Sequence, residues 1–170
     1  IINQGHTVYD NYIKDVRSFG LLVRVGVYER PTAETDVKQE PLTSYHRVEN
    51  VDIAYNTFLN SSLELGSGRG EKMPRNVRFA HNLFTGQTPD LKIVRADEVL
   101  PGFLFLDNEW AFSDKKSLSS VPYEQVREGF KPVDMHDGLN QEEKERIDAC
   151  IFTAGPTWYK ALKENVNHID

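Results

Sequence analysis

The strongest constraint on this chain is a nine-residue pattern that occurs four times. Every copy has Asn at its seventh place and a large apolar residue at its fourth and ninth places. The seventh-place residues are Asn11, Asn56, Asn82 and Asn108, separated by steps of 45, 26 and 26 residues. Strand-like alternation that ends in an Asn turn and recurs at an equal step is typical of a solenoid, in which each circuit of the chain stacks on the last.

The stacking of circuits predicts one column of side chains. It contains the four asparagines, about 4.8 Å apart, whose amides can hydrogen-bond along the stack and so satisfy polar groups that are costly to bury. The alternative is that Asn recurs here only because it is a common turn residue. The fourth-place residues are Val8, Ile53, Phe79 and Phe105, and the ninth-place residues are Ile13, Phe58, Phe84 and Trp110.

The pattern also predicts how the chain is divided. Residues 1–113 are expected to form the circuits, with a polar, Pro-containing loop inserted at 28–46 and further strands at 21–25, 63–65 and 91–94. After residue 113 the repeat ends. Asn140 with Glu143 is typical of a helix N-terminus, which predicts a helix over about 140–152 and a second helix from near Thr157 to Val166. Residues 114–170 are therefore expected to be an irregular and helical cap.

Composition excludes several classes of function. Cys150 is the only cysteine in the sequence, so neither an intramolecular disulfide nor a Cys-based zinc site is available, and His136 and His168 have no partner at metal-ligand spacing. The formal charge of −6 makes nucleic acid an improbable partner. No apolar run approaches the roughly 18 residues of a membrane span. The first residues resemble neither a signal peptide nor an ordinary start, which suggests a piece of a longer chain.

Four segments together resemble polysaccharide lyase family 6, the alginate lyases and chondroitinase B-like enzymes. They are GHTVYDNY at 5–12, VENVDIAYNTF at 48–58 with Tyr45 just before it, PRNVRFAHNLF at 74–84, and GPTW at 155–158. The resemblance implies an all-β fold, a right-handed parallel β-helix (solenoid) with a short C-terminal helical appendage. It also implies a secreted or periplasmic enzyme that acts on an anionic polysaccharide.

Enzymes of this family cleave a uronate chain by β-elimination. A Lys removes the C5 proton, an Arg assists the leaving oxygen, and a calcium ion neutralises the substrate carboxylate. The resemblance places these groups in circuits that precede this chain, in the upstream part of the same β-helix. We therefore assign no catalytic residue and no metal ligand here, and we expect this chain to bind no calcium itself.

The resemblance assigns this chain the substrate-binding side of the cleft. The substrate-binding residues that it implies are Arg17, Tyr45, His46, Arg69 and Lys72. Between residues 69 and 78 four basic side chains stand against Glu71 alone, a local charge of +3. Arg suits planar carboxylate or sulfate groups because its N–H donors form a fork. The alternative for each such residue is a solvated surface charge, and the histidines at 6 and 81 are expected to be packed or hydrogen-bonded.

Two functions remain open at the level of the sequence. The first is the polysaccharide lyase, with alginate as the favoured substrate and chondroitin or dermatan sulfate second. The second is a non-catalytic carbohydrate-binding or structural β-helix of the adhesin or tailspike kind. The sequence upstream of Ile1 would distinguish them, because a lyase requires a catalytic Lys and Arg there.

Overall fold

Short strands are the main regular elements of the described residues. The computed structural model describes residues 1, 3–16, 18–26, 46–68, 70–86, 91–112, 116–149, 160, 161, 163 and 164. The strands are β1 (Thr7–Tyr9), β2 (Tyr12–Lys14), β3 (Phe19–Arg24), β4 (Glu49–Ala54), β5 (Thr57–Leu59), β6 (Ser62–Ser67), β7 (Arg75–Ala80), β8 (Leu83–Gly86), β9 (Leu91–Ile93), β10 (Phe103–Leu106), β11 (Asn108–Phe112) and β12 (Phe130–Pro132). The helices are α1 (Ala96–Val99), a 3₁₀ helix (Leu100–Gly102), α2 (Lys116–Ser119), α3 (Glu124–Glu128) and α4 (Gln141–Ala149).

The strands form three parallel sheets that the chain visits in turn. Sheet A has the order β1-β4-β7-β10, sheet B the order β2-β5-β8-β11-β12, and sheet C the order β3-β6-β9. Each pass through the three sheets is one circuit, and consecutive circuits pair in register, for example Val51 with Val77 and Thr57 with Leu83. The predicted strands at 21–25, 63–65 and 91–94 correspond to the strands of sheet C.

The predicted asparagine column is confirmed. Nδ2 of Asn11 donates to Oδ1 of Asn56 at 2.9 Å, Asn56 donates to Asn82 at 2.9 Å, and Asn82 donates to Asn108 at 3.0 Å. Each accepting oxygen also takes the backbone N–H of the preceding Asn in the column, at 3.0 Å. Asn56, Asn82 and Asn108 are fully buried, so these bonds satisfy amides that would otherwise be costly to remove from water.

The apolar residues at the fourth and ninth places also form columns. Ile53 pairs in register with Phe79, and Phe79 with Phe105, while Phe58 pairs with Phe84 and Phe84 with Trp110. The Phe58 and Phe84 rings stack at 4.6 Å. Burial of each such side chain contributes roughly 1.5–3 kcal/mol. The core therefore lies between the three sheets, on the inner face of each strand.

The predicted fold class is wrong. The sequence predicts an all-β right-handed parallel β-helix with helices only in a C-terminal appendage. In the structure, α1 and the 3₁₀ helix instead lie between β9 and β10. Asp97 and Glu98 lie in the first turn of α1, where acidic groups are favoured, and Pro101 lies near the start of the 3₁₀ helix. The structure is instead a set of three parallel sheets with short helices between and after their strands.

The C-terminal region also differs from a purely helical appendage. β12 extends sheet B by pairing in parallel with β11. Its Phe130 is buried and packs edge-on against Phe84 and Trp110, at 5.5 and 5.6 Å between ring centroids. The Gln125 side chain on α3 donates to the carbonyl oxygens of Leu100 and Phe103, beside β10. A strand thus continues sheet B at this end, while a helix covers the end of sheet A.

The helix predicted from Asn140 begins where expected. Asn140 Oδ1 accepts the backbone N–H of Glu143 at 3.0 Å, and Glu143 Oε2 accepts the backbone N–H of Asn140 at 2.7 Å, which is the reciprocal capping box. α4 runs to Ala149, and its predicted extension to 152 lies outside the described residues. Of the second predicted helix, residues 160, 161, 163 and 164 are described, and they are helical.

The division at residue 113 stays a prediction, since residues 113–115 lie outside the described ranges, as does nearly all of the 28–46 loop. None of the described helices is both long enough and apolar enough to cross a membrane.

Candidate functional site

The outer face of sheet A is open and carries charge. Its strands alternate, so that fourth-place residues such as Phe79 point into the core while third-place residues point outward. Asp52 and Arg78 are half-buried, and Leu104 is 55% exposed. The third-place residues, which stand in register across the sheet, are Thr7, Asp52, Arg78 and Leu104. This row offers polar and apolar groups to a ligand side by side.

An ion pair lies at the centre of the row. Arg78 Nε donates to Asp52 Oδ1 at 2.8 Å, and Arg78 Nη2 donates to Asp52 Oδ2 at 3.1 Å. This two-point hydrogen bond with Asp52 raises the pKa of the Arg78 guanidinium, so Arg78 is always charged. The pair holds the guanidinium plane in one orientation on the open face.

A second pair of contacts joins the same two strands. Arg75 Nη2 lies 2.7 Å from Glu49 Oε1, and the Arg75 side chain is 71% exposed. Asn76 Nδ2 donates to Asn50 Oδ1 at 2.7 Å. The local charge of +3 expected around residues 69–78 is therefore reduced, because Arg75 and Arg78 face carboxylates 26 residues earlier in the chain.

Three aromatic rings form a row beside the ion pair. We name Tyr9, Tyr55 and His81 the aromatic row: Tyr9 and Tyr55 lie 4.9 Å apart between ring centroids, and Tyr55 and His81 stack at 5.0 Å. Tyr9 is 44% exposed. Partial burial, followed by its contact with Tyr55, raises the pKa of the Tyr9 hydroxyl. The rings present an amphipathic surface of the kind that binds ligands with one apolar and one polar side.

The backbone of the row is unusual. Tyr55 and His81 have φ of 56° and 54°, in the left-handed region that bulky side chains rarely adopt. Asp10 and Asp107, at the same sixth place of the pattern, share this conformation. Asp tolerates it more easily because its short side chain can hydrogen-bond locally. The rings are thus held at a position where a smaller residue would be less strained.

The structure brings two of the predicted site residues, His46 and Lys72, to one corner. Lys72 forms an antiparallel bridge with Gly26, with N···O distances of 3.0 and 3.1 Å. A Cβ on Gly26 would lie 2.8 Å from the His46 carbonyl oxygen, so His46 also abuts Gly26. His46 and Lys72 differ by the same 26 residues as the paired Glu49 and Arg75. They therefore occupy equivalent places just before sheet A.

We name His46, Arg47 and Lys72 the basic corner. Arg47 Nη1 donates to the Met73 carbonyl at 2.8 Å and so ties the two circuits together there. The His46 residue is exposed and Lys72 is half-buried. The corner leads directly into the outer face of sheet A through Glu49 and Arg75.

The other three predicted residues, Arg17, Tyr45 and Arg69, lie outside the described residues. The described neighbours of Arg17 are Val16, whose N–H donates to Ser61 Oγ at 3.3 Å, and Ser18, whose carbonyl accepts from Ser62. These contacts are at the turn between sheets B and C, whereas the basic corner is at the turn between sheets C and A. The neighbours of Arg17 thus belong to a different corner from His46 and Lys72.

Sequence reasoning missed Tyr9, Asp52 and Tyr55. The signal was present in the repeat, because third-place residues must face outward if fourth-place residues face inward. A second signal was the sixth place of the pattern, where two copies have Tyr55 and His81 and the other two have Asp. His81, expected to be packed, does stack on Tyr55.

The described part of the chain has no group of three or more His, Cys, Asp or Glu side chains placed to hold a metal ion. The calcium site that the family resemblance places upstream of this chain stays a prediction.

No protein-family model matches the chain, and no curated protein matches it. Among solved structures, the chain is similar to a mannuronic acid specific polysaccharide family 6 lyase enzyme from human gut microbiota, with 96% sequence identity over 100% of this chain and a TM-score of 0.72. The chain spans 38% of the length of that enzyme.

Proposed function

We propose that this chain is part of a family 6 polysaccharide lyase that cleaves a uronate-containing polysaccharide by β-elimination. The observation that carries the proposal is the 96% identity, over the whole chain, to a mannuronic acid specific lyase of that family. Mannuronate-rich alginate is therefore the favoured substrate, and chondroitin or dermatan sulfate is second. Since the chain spans 38% of that enzyme, the activity belongs to a longer protein.

The reaction makes specific demands on the protein. A base takes the proton from C5, the C4–O bond breaks, a C4–C5 double bond forms and the leaving oxygen takes up a proton. Negative charge develops toward the substrate carboxylate as the C5 proton leaves, so a fixed cation beside that carboxylate lowers the barrier. We assign the catalytic Lys, the catalytic Arg and the calcium ligands to the remainder of the longer enzyme.

The role proposed for this chain is to bind the polymer. The basic corner and the open face of sheet A supply cationic and aromatic groups on one continuous surface, and Arg and Lys bind carboxylates through charge-assisted hydrogen bonds. His46 and Lys72 remain proposed substrate-binding residues on this surface. Arg17, Tyr45 and Arg69, which lie outside the described residues, also remain proposed substrate-binding residues. The enzyme is proposed to be secreted or periplasmic, where it would meet a long anionic polymer.

The first test compares the longer enzyme with the isolated 170-residue chain. The longer enzyme should produce unsaturated uronate ends from polymannuronate, measured by their ultraviolet absorbance, while the isolated chain should give a flat trace. A sustained rise with the purified chain would place the base among its own residues. A flat trace with the longer enzyme on alginate and on chondroitin would instead favour a non-catalytic carbohydrate-binding or structural protein.

The second test concerns the two predicted arginines. In the longer enzyme, Arg17→Ala or Arg69→Ala should remove a charge-assisted contact worth roughly 1.5–3 kcal/mol, which is about 10- to 150-fold in kcat/KM. Arg146→Ala removes the same charge from the exposed surface of α4 and serves as the control. Equal, small effects at all three positions would mean that Arg17 and Arg69 are only solvated surface charges.

A further inference from the structure

We propose that Arg78 and the aromatic row form one subsite for a single uronate unit, in which Arg78 binds the carboxylate and the rings of Tyr9 and Tyr55 contact the sugar. Asp52 is the positioning residue that orients Arg78. The inference rests on the proposed function and adds to it a defined subsite on sheet A, made of residues that the family resemblance does not imply.

The first argument is the hydrogen-bonding capacity of Arg78. A guanidinium has five N–H donors, and Asp52 uses two of them, on Nε and Nη2. Among the described residues Asp52 is the hydrogen-bond partner of this side chain, so the edge that contains Nη1 is available for a second carboxylate. The side chain is 38% exposed, which allows a ligand to reach it. A guanidinium held by one carboxylate presents its remaining donors in a fixed direction.

The second argument is the proximity of the rings to the guanidinium. Tyr9 lies two residues after Thr7 on β1 and therefore on the same outward face, and Thr7 pairs in register with Asp52, the partner of Arg78. The ring of Tyr55 contacts the ring of Tyr9, and both tyrosines contribute to the raised pKa of the Arg78 guanidinium. A carboxylate bound to Arg78 would therefore be attached to a sugar ring that lies against the tyrosines. Aromatic faces bind the C–H groups of a sugar while the hydroxyls bind its polar edge.

The third argument is backbone strain. A residue other than Gly in the left-handed region is strained, and such residues collect at functional sites. Tyr55 and His81 accept this strain at a place that Asp fills in the other two copies of the pattern. Packing alone does not require rings there, because Asp10 and Asp107 serve at the same place. The geometry favours a role for the rings in binding.

The test uses variants of the longer enzyme on polymannuronate. Tyr55→Asn is the sharpest of these, because Asn favours the left-handed conformation and should leave folding intact while removing the ring. The second variant is Arg78→Gln, which removes the guanidinium edge that is proposed to bind the carboxylate. Both should raise KM, by about 10-fold or more for Arg78→Gln, with kcat nearly unchanged. The matched controls are Asp107→Asn at the same place of the pattern and Arg146→Gln on α4, and both should keep the wild-type KM.

The role of Asp52 is tested by rescue. Asp52→Asn should raise KM because the guanidinium loses its charged anchor, and Asp52→Glu should recover part of the loss. Thermal unfolding of each variant separates a folding defect from a binding defect. A rise in KM at unchanged Tm supports the positioning role, and equal losses for Asn and Glu overturn it.

The failure of the subsite and the failure of the proposed function give different results. If wild-type enzyme cleaves polymannuronate and both Tyr55→Asn and Arg78→Gln keep its KM, the subsite is wrong and the lyase assignment stands. If Arg78→Gln lowers kcat at constant KM, Arg78 acts at the reacting atoms and the binding subsite is overturned. If wild-type enzyme neither binds nor cleaves the polymer, the proposed function itself fails.

Discussion

Sheets A and B are built by the same circuits, yet their outer faces differ. On sheet B the row that includes Leu83 is covered: Leu83 is fully buried against Met135 and Ile147, and Glu109 is paired with Lys160. On sheet A the corresponding outward row keeps Leu104 mostly exposed and Arg78 half-buried. The circuits determine the direction in which each side chain points, and the C-terminal region determines which outward face is removed from water.

The difference separates stability from binding. Outward side chains on sheet B extend the core, since they pack against α4 and the segment before it. Outward side chains on sheet A pair with each other across circuits and remain accessible. Substitutions on sheet B should therefore change the free energy of unfolding, whereas substitutions on sheet A should change ligand affinity.

The largest effect is expected at Leu83. Leu83→Ala should lower the free energy of unfolding by about 2–5 kcal/mol, because it leaves a cavity beneath Met135 and Ile147. The matched control is Leu104→Ala on sheet A, which should change stability by no more than about 0.5 kcal/mol. Urea denaturation of the two variants measures the contrast. A comparable loss at Leu104 would mean that sheet A is also covered.

A smaller effect is expected from the ion pair on sheet B. The side chain of Glu109 is 92% buried, so Lys160→Met should cost roughly 1–3 kcal/mol because it removes a charge-assisted contact with that carboxylate. Arg78→Met on sheet A leaves Asp52 accessible to water and should cost less. Chemical denaturation at neutral pH compares the two variants. A larger loss of stability for Arg78→Met would contradict the assignment of sheet B as covered and sheet A as open.

The coupling between Asp52 and Arg78 should be smaller again. Both side chains are more than a third exposed, and pairs of this kind contribute about 0.2–1 kcal/mol. A double-mutant cycle with Asp52→Asn and Arg78→Gln, followed by denaturation, isolates the coupling energy. A coupling several times larger would show that the pair serves stability, and would weaken its assignment to binding.

The smallest effect is expected from the pH dependence of Tyr9. Its pKa is raised in the folded protein, so the folded state holds the phenolic proton more tightly than the unfolded chain does. This contribution to stability is complete below the unfolded pKa, near 10.0, and is lost as the pH rises through the higher folded value. Stability curves of wild type and Tyr9→Phe should diverge in this alkaline range. Parallel curves would show that the Tyr9 hydroxyl has the same environment in both states.

The inner architecture was predictable because it depends on short-range patterning. Fixed intervals between Asn and large apolar residues specify both the columns and their spacing, and Asn140 with Glu143 specifies a helix start within four residues. None of these features requires knowledge of distant contacts. The Asn column and the alternation of apolar residues around it follow directly from the sequence.

The fold class and the charge of the site depended on long-range contacts. β12 is a strand of three residues that includes Lys131 and Pro132, and it is held by the packing of Phe130 on rings from earlier circuits. The basic cluster at 69–78 appeared unpaired because its partners, Glu49 and Asp52, lie 26 residues away in the chain. Counting charges along the sequence misses pairing between circuits, although the repeat length gave the offset needed to find it.

The asparagine column has a consequence for how the protein opens locally. Asn56 and Asn82 each donate to one neighbour and accept from the other, so each circuit is coupled to the circuits on both sides, as in a one-dimensional chain of interacting units. Opening the circuit at Asn56 or Asn82 therefore breaks side-chain hydrogen bonds to two circuits at once. The backbone amides of Asn56 and Asn82, whose residues are fully buried, should exchange slowly with solvent and at similar rates, because neighbouring circuits open together.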